Sequence, residues 1–223
     1  MGELNSTKPR LTPQEVPQFS QYAARSLNAM ALQSGTTVQD LIERFQKEPV
    51  TREAMRSRLE KIDDPEMLDM VMRQLRREVM TTLIVRDLTA HADFHEVVGT
   101  VTALAEETVS AAVRVHSRKL AQRFGVPVGV SGEPQDLLVV GMGKLGGEEL
   151  NVSSDIDLVF VYDEGGETQA IGEFASARRQ VTNHEFFDRL ARRVIASINE
   201  IDGTGFVFRV DMRLRPFGDS GPL

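Results

Sequence analysis

Cysteine is absent from the 223-residue chain. That excludes disulfides, thiolate metal sites and a cysteine nucleophile, and it fits a reducing compartment. No apolar run reaches membrane length, and the first residues are polar and broken by prolines. Neither a spanning segment nor a signal peptide is expected, and the protein is expected in the cytoplasm, away from membranes. An excess of positive charge is also missing. Lysine and arginine number 26 against 33 aspartates and glutamates, a net charge of -7, which argues against a duplex-DNA clamp and its basic face. Histidine is scarce, at four residues. Only His91 and His95 stand at i, i+4, and with Asp93 between them at a helix junction they read as a surface cluster, not a zinc site. Neither a Ser-His-Asp nor a Cys-His set is evident, and no internal repeat is visible.

What is present describes an ordinary soluble protein, with 41% hydrophobic and 26% charged residues, long enough for one large domain or two small ones. Residues 1–17 carry Pro9, Pro13 and Pro17 and little apolar pattern, so a loose arm is expected. Helical periodicity then begins: Phe19, Tyr22, Ala23, Leu27 and Met30 recur at spacings of three and four. Thr37 with Asp40 reads as a helix start, Pro49 as a break, and Asp64-Pro65-Glu66 as a second start with proline at the first helical position. A long helix follows to about Ala90, and another runs from near Asp93 past Leu120. Arg73, Arg76, Arg77 and Arg86 on the first of these read as a solvated face with packed stems or, for one or two of them, as side chains that reach phosphate or a partner. Gly125, Pro127, Gly129, Gly132 and Pro134 fall within ten residues and mark a boundary. The expected organisation is a helical domain over 18–124, a linker over 125–135 and an α/β domain over 136–223. The fold class is α+β, an all-helical segment followed by a mixed-sheet domain.

The informative stretch is Leu137 to Tyr162, which reads as strand, glycine-rich turn, polar turn, strand. Gly141-Met-Gly143-Lys-Leu-Gly146 matches the dinucleotide fingerprint, but only Glu148 to Ser154 separates Gly147 from Asp155, too little for the helix that a Rossmann unit requires. The Walker pattern fails as well, because Lys144 is followed by Leu145. Asp155 and Asp157 open the second strand, and residues two apart on a strand face the same side. Paired carboxylates repel unless a cation sits between them, and Mg²⁺ bound to phosphate oxygens is the usual answer. Gly146 and Gly147 would let a phosphate approach the backbone. A glycine turn followed by Asp-x-Asp on a strand is the pattern of the nucleotidyltransferase superfamily.

A helix over 183–200, with Thr182 and Glu185 as a capping box, precedes Gly205-Phe-Val-Phe-Arg-Val-Asp-Met-Arg, which alternates as a strand. Asp211 then stands on a strand flanked by arginines on its own face. It reads either as part of an ion-pair ladder or as the third metal ligand, with Arg213 and Arg215 on phosphate oxygens. Three carboxylates suit two ions about 4 Å apart in an in-line displacement.

Gly141-Met-Gly-Lys-Leu-Gly-Gly-Glu-Glu-Leu-Asn-Val-Ser-Ser-Asp-Ile-Asp-Leu-Val-Phe and Asp211-Met-Arg-Leu-Arg-Pro-Phe-Gly-Asp-Ser-Gly-Pro-Leu resemble the signatures of the bifunctional glutamine synthetase adenylyltransferase/adenylyl-removing enzymes. Leu75-Arg-Arg-Glu-Val-Met, Arg86-Asp-Leu and Leu104-Ala-Glu-Glu extend the likeness back to about residue 66. The resemblance implies two nucleotidyltransferase domains on one chain. One attaches AMP from ATP to a tyrosine of glutamine synthetase, and the other removes it by phosphorolysis with inorganic phosphate in and ADP out. Glu149-Leu-Asn before the aspartates, Asp-Met-Arg on the last strand and the preceding helical segment resemble the adenylyl-removing half. The adenylylating half is the alternative. By the same resemblance Asp155, Asp157 and Asp211 match the metal-binding acids, and Gly146, Gly147 and Ser154 match the phosphate turn. Lys144, Arg213 and Arg215 are added on charge and position. Mg²⁺, in two ions, is the implied cofactor. Adenylylated glutamine synthetase, the PII signal protein, nucleotide and phosphate are the implied partners, and nucleic acid is not. The family's sequence continues past the point equivalent to Leu223, so a fragment is expected, and a docking module without turnover is the alternative to an enzyme.

Overall fold

The computed structural model describes residues 11–211. Among them are eight α-helices and five strands, with six of the helices before residue 125 and the other two among the strands that follow it. No helix among the described residues is long and apolar enough to cross a membrane.

The helix starts follow the capping chemistry of the sequence. α1 (Val16–Phe19) leads into α2 (Gln21–Ser34), whose N-cap Ser20 accepts from the Ala23 amide. α3 (Val38–Lys47) opens with the complete Thr37/Asp40 capping box, and α4 (Arg52–Leu59) with Thr51. Asp64 caps α5 (Pro65–Leu88), and Asp93 caps α6 (Phe94–Phe124). Each cap satisfies an amide that the first helical turn leaves without a partner. α1 to α3 bury Val16, Leu27, Leu41, Ile42 and Phe45 around Val85 of α5. A larger cluster joins α4, α5 and α6 to the sheet and to α8 (Asn183–Asn199) through Leu75, Leu104, Leu120, Ile156, Leu158, Phe186 and Ile198.

Several expectations need correction. The segment read as a loose arm is docked from Leu11 onward: the Leu11 amide donates to Leu88 O at 3.1 Å, and Val16 is fully buried. Residues 1–10 lie outside the described part. The arginines of α5 are not a solvated face, because Arg73 and Arg86 are each only 7% exposed. Arg86 pairs with Glu96, with Nη2 to Oε2 at 3.0 Å, and also donates to the carbonyls of Gln46 and His91. Burial of a guanidinium is tolerated here because its donors are used.

The stretch read as a linker holds β1 (Val126–Val128), which pairs antiparallel with β4 (Glu167–Gln169). Gly125 and Gly129 at its ends and Pro127 within it hid this strand. β2 (Leu138–Met142) and β3 (Ile156–Val161) form an antiparallel pair, so the glycine turn joins neighbouring strands of a hairpin and no βαβ unit exists there. Among the described residues β5 covers Val210–Asp211 and does not begin at Gly205 as expected. Val207 and Phe208 are both buried, so strict alternation fails. Their amides donate to one carbonyl, Ile198 O, at 3.1 and 3.0 Å. The end of α8 offers carbonyls that lack helical partners, and it captures this segment before the sheet can.

His116 of α6 is buried, with Nε2 2.7 Å from Ser197 Oγ of α8. Burial holds its pKa below the ordinary imidazole value, with Asp69 opposing and Arg193 reinforcing the shift.

Two outcomes follow. Arg86→Met strips Glu96 and two carbonyls of their partner and should cost about 3 kcal/mol in urea unfolding; an unchanged midpoint would contradict the buried network. The unfolded chain takes a proton at His116 near pH ~6.5, and the folded protein only at lower pH. Stability should therefore be complete above that pH and fall as pH drops towards the folded-state pKa. His116→Gln should flatten this part of the pH dependence of the unfolding free energy.

Candidate active site

The site is assembled at one end of the three-stranded sheet, in the order β2-β3-β5. Met142 lies opposite Asp157 across the antiparallel pair. Asp157 lies opposite Asp211 across the parallel β3–β5 pair. Neighbouring strands run about 4.8 Å apart, so these two aspartates are adjacent on one face. That face carries Leu138, Val140, Met142 and Val161, all exposed. The opposite face, with Ile156 and Leu158, is buried against the helices. Asp155 stands one residue before β3 and is exposed. Arg209 Nε lies 2.6 Å from its Oδ1, and Arg209 Nη2 donates to Ser153 O at 3.3 Å. The Ile156 amide donates to Arg209 O at 2.9 Å, which ties the approach to β5 onto the start of β3.

The glycine turn is a single helical turn, α7 (Gly143–Gly146). Gly143 has φ +55°, and a Cβ there would lie 3.1 Å from Asp157 Oδ2. At Gly146 a Cβ would meet Gly141 O at 2.6 Å. Small residues are therefore required for the turn to fold back against β2 and leave Asp157 uncovered. Lys144 is exposed on this turn, and the Gly147 amide donates to Gly143 O at 3.0 Å. Leu150 is fully buried and anchors the returning loop, and its amide lies 3.4 Å from Thr102 Oγ1 of α6. Asn151 Oδ1 then accepts from the Ser153 amide and from both the Ser153 and Ser154 hydroxyls, at 3.1, 3.2 and 2.9 Å. That polar turn aims the chain into Asp155 and Asp157. Arg213 and Arg215 lie outside the described residues.

The donor set is carboxylate oxygen, which suits a hard cation such as Mg²⁺. Among the described residues no three acidic or histidine side chains already converge as a metal cage. Asp155 is drawn to Arg209, so convergence requires that carboxylate to rotate off the guanidinium. Sequence reasoning placed Arg209 on the face of Asp211 but missed its pairing with Asp155. The i, i+2 spacing of Arg209 and Asp211 was the available signal.

Helical layer, mixed sheet and acidic strand ends together define an α+β domain of the nucleotidyltransferase type. The sequence profile described as glutamate-ammonia ligase adenylyltransferase matches residues 14–223, and the chain belongs to that family. It is 47% identical over 207 residues to the bifunctional glutamine synthetase adenylyltransferase/adenylyl-removing enzyme of Chromobacterium violaceum, a match that covers 92% of this chain and 22% of the relative. The enzyme of the same description from Burkholderia mallei is 45% identical over 212 residues, with the same coverage. That from Ralstonia nicotianae is 52% identical over 162 residues, covering 72% of this chain and 16% of the relative. The chain thus spans about a fifth of the length of the first two relatives.

Gly143→Ala should lose about 1 kcal/mol for the left-handed backbone alone. Gly146→Ala should lose more, because its new Cβ meets a backbone oxygen. Urea midpoints equal to that of the parent would show that the turn does not fold back as described.

Proposed function

We propose that this chain is the catalytic core of a Mg²⁺-dependent nucleotidyltransferase that removes AMP from adenylyl-tyrosine of glutamine synthetase by phosphorolysis. The observation that carries the proposal is the in-register adjacency of Asp157 and Asp211 across β3 and β5, with Asp155 two residues from Asp157. Asp155, Asp157 and Asp211 would hold the metal, which would supply charge neutralisation at the transferring phosphoryl group. An oxygen of inorganic phosphate attacks the α-phosphorus, the bond from phosphorus to the tyrosine oxygen breaks, ADP forms, and the phenolate takes up a proton. Arginines and Lys144 near the strand ends orient phosphate oxygens, a task for which guanidinium geometry is suited.

The names of the relatives support glutamine synthetase as the protein substrate. The sequences Glu149-Leu-Asn and Asp211-Met-Arg support the adenylyl-removing direction over adenylylation by ATP. PII is the regulatory partner under this reading, and the cytoplasm is the compartment.

The test is nucleotide release from adenylylated glutamine synthetase with Mg²⁺ and phosphate. ADP should appear with the parent, and Asp157→Asn should lower the rate at least ~100-fold, more than loss of an outer-shell partner gives. Release that depends on pyrophosphate and yields ATP would assign the opposite direction. No product from folded parent would mean that residues 1–223 do not suffice as the catalytic core.

A further inference from the structure

We infer that Arg209 is an exchangeable counter-ion of the site: it neutralises Asp155 in the metal-free protein and passes to a phosphoryl oxygen of the nucleotide once a divalent cation takes Asp155. This inference rests on the proposed metal-dependent transferase reading.

Three observations meet at this side chain. Arg209 Nε is 2.6 Å from Asp155 Oδ1 and links the approach to β5 with the start of β3. The side chain is 62% exposed, so it can leave Asp155 without unpacking any core. Its backbone cannot follow, because Arg209 O accepts from the Ile156 amide and Phe208 before it is buried. The guanidinium therefore pivots about a fixed point two residues before Asp211.

Arg76 of α5 supplies the second cation. Burial is the main influence on it and lowers its pKa, Tyr22 opposes that, and the charge of Arg209 lowers it further. The two cations are thus close enough to repel. Arg76 is held by Tyr22 Oη at 3.4 Å and stacks on the Phe206 ring with 4.7 Å to its centroid. Arg76 is thus anchored, and Arg209 is the one of the pair that can move. Asp155 is turned to the guanidinium. A dication that takes Asp155 releases a fork of N–H donors beside the place where phosphate oxygens would sit, and a guanidinium binds such oxygens through paired hydrogen bonds.

The exchange is tested by Mn²⁺ binding, followed by electron paramagnetic resonance at low salt, for the parent, Arg209→Gln, Asp157→Asn and Arg192→Gln. Arg192 pairs with Asp188 on the exposed side of α8, so its variant carries the same charge change away from the site. Removing the competing cation at Asp155 should lower the Mn²⁺ Kd of Arg209→Gln about threefold to tenfold, the range of an exposed ion pair. Arg192→Gln should stay within about twofold, because its charge is screened at that separation. With Mn²⁺ saturating, the same Arg209→Gln should bind ADP at least about fivefold more weakly than the parent. An Arg209→Gln Kd for Mn²⁺ equal to or above that of the parent, or unchanged ADP binding, would overturn the exchange. If the parent binds Mn²⁺ and Asp157→Asn weakens it while Arg209→Gln leaves it unchanged, only the role of Arg209 falls. If the parent binds no Mn²⁺, or Asp157→Asn leaves binding intact, the metal-site reading falls, and the exchange with it.

Discussion

One carbonyl, Ile198 O at the end of α8, accepts the amides of both Val207 and Phe208, and the candidate site depends on where this leaves the chain. Among the described residues β5 covers Val210–Asp211. Its position is imposed from outside the sheet. Phe208 is locked in the core, Arg209 O meets the Ile156 amide, and only then do Val210 and Asp211 fall opposite Ile156 and Asp157. The loop before it is clamped by α5: Arg73 Nη2 donates to Glu200 O at 3.3 Å and pairs with Asp202 at 3.4 Å, and Arg77 Nη2 donates to Thr204 O at 3.1 Å. Arg76 covers Phe206. The helical layer is therefore part of what positions the third carboxylate, not a separate attachment.

The electrostatics follow from that placement. Three aspartates gathered at one sheet end need a positive partner. Within the described residues Asp155 finds one in Arg209. The core side of the sheet supplies no charge of its own there, because Ile156 and Leu158 fill it. Asp157 lies on the open face, opposite Met142 and near Val140. The glycine turn leaves it uncovered: any side chain at Gly143 would crowd Asp157.

Much of this was legible in residue order. Caps at Thr37, Asp64, Asp93 and Thr182 and the helices they open correspond closely to the structure, because capping and 3.6-residue periodicity are local properties. The hairpin of β2 and β3 was readable as well, since too few residues separate the strands for a crossover. What escaped was non-local. The expected strand from Gly205 gave way to hydrogen bonds with a helix end distant in sequence. β1 was obscured by Gly125, Pro127 and Gly129, although it finds a partner in β4. Arg73 and Arg86 looked like surface residues because their partners, Asp202 and Glu96, are brought to them only by the packing of other elements. Arg209 was read as a neighbour of Asp211, while its actual partner, Asp155, lies across the sheet.

The claim on which the rest stands is that Asp157 and Asp211 are nearest neighbours across β3 and β5. A chain without cysteine allows this to be tested with a single engineered pair. Asp157→Cys/Asp211→Cys should close a disulfide rapidly under mild oxidation, since such bonds need Cα atoms about 4.4–6.8 Å apart. Val159→Cys/Asp211→Cys, two residues out of register, should close far more slowly. Equal rates for the two pairs, or no closure of the first, would contradict the register and with it the convergence of the carboxylates.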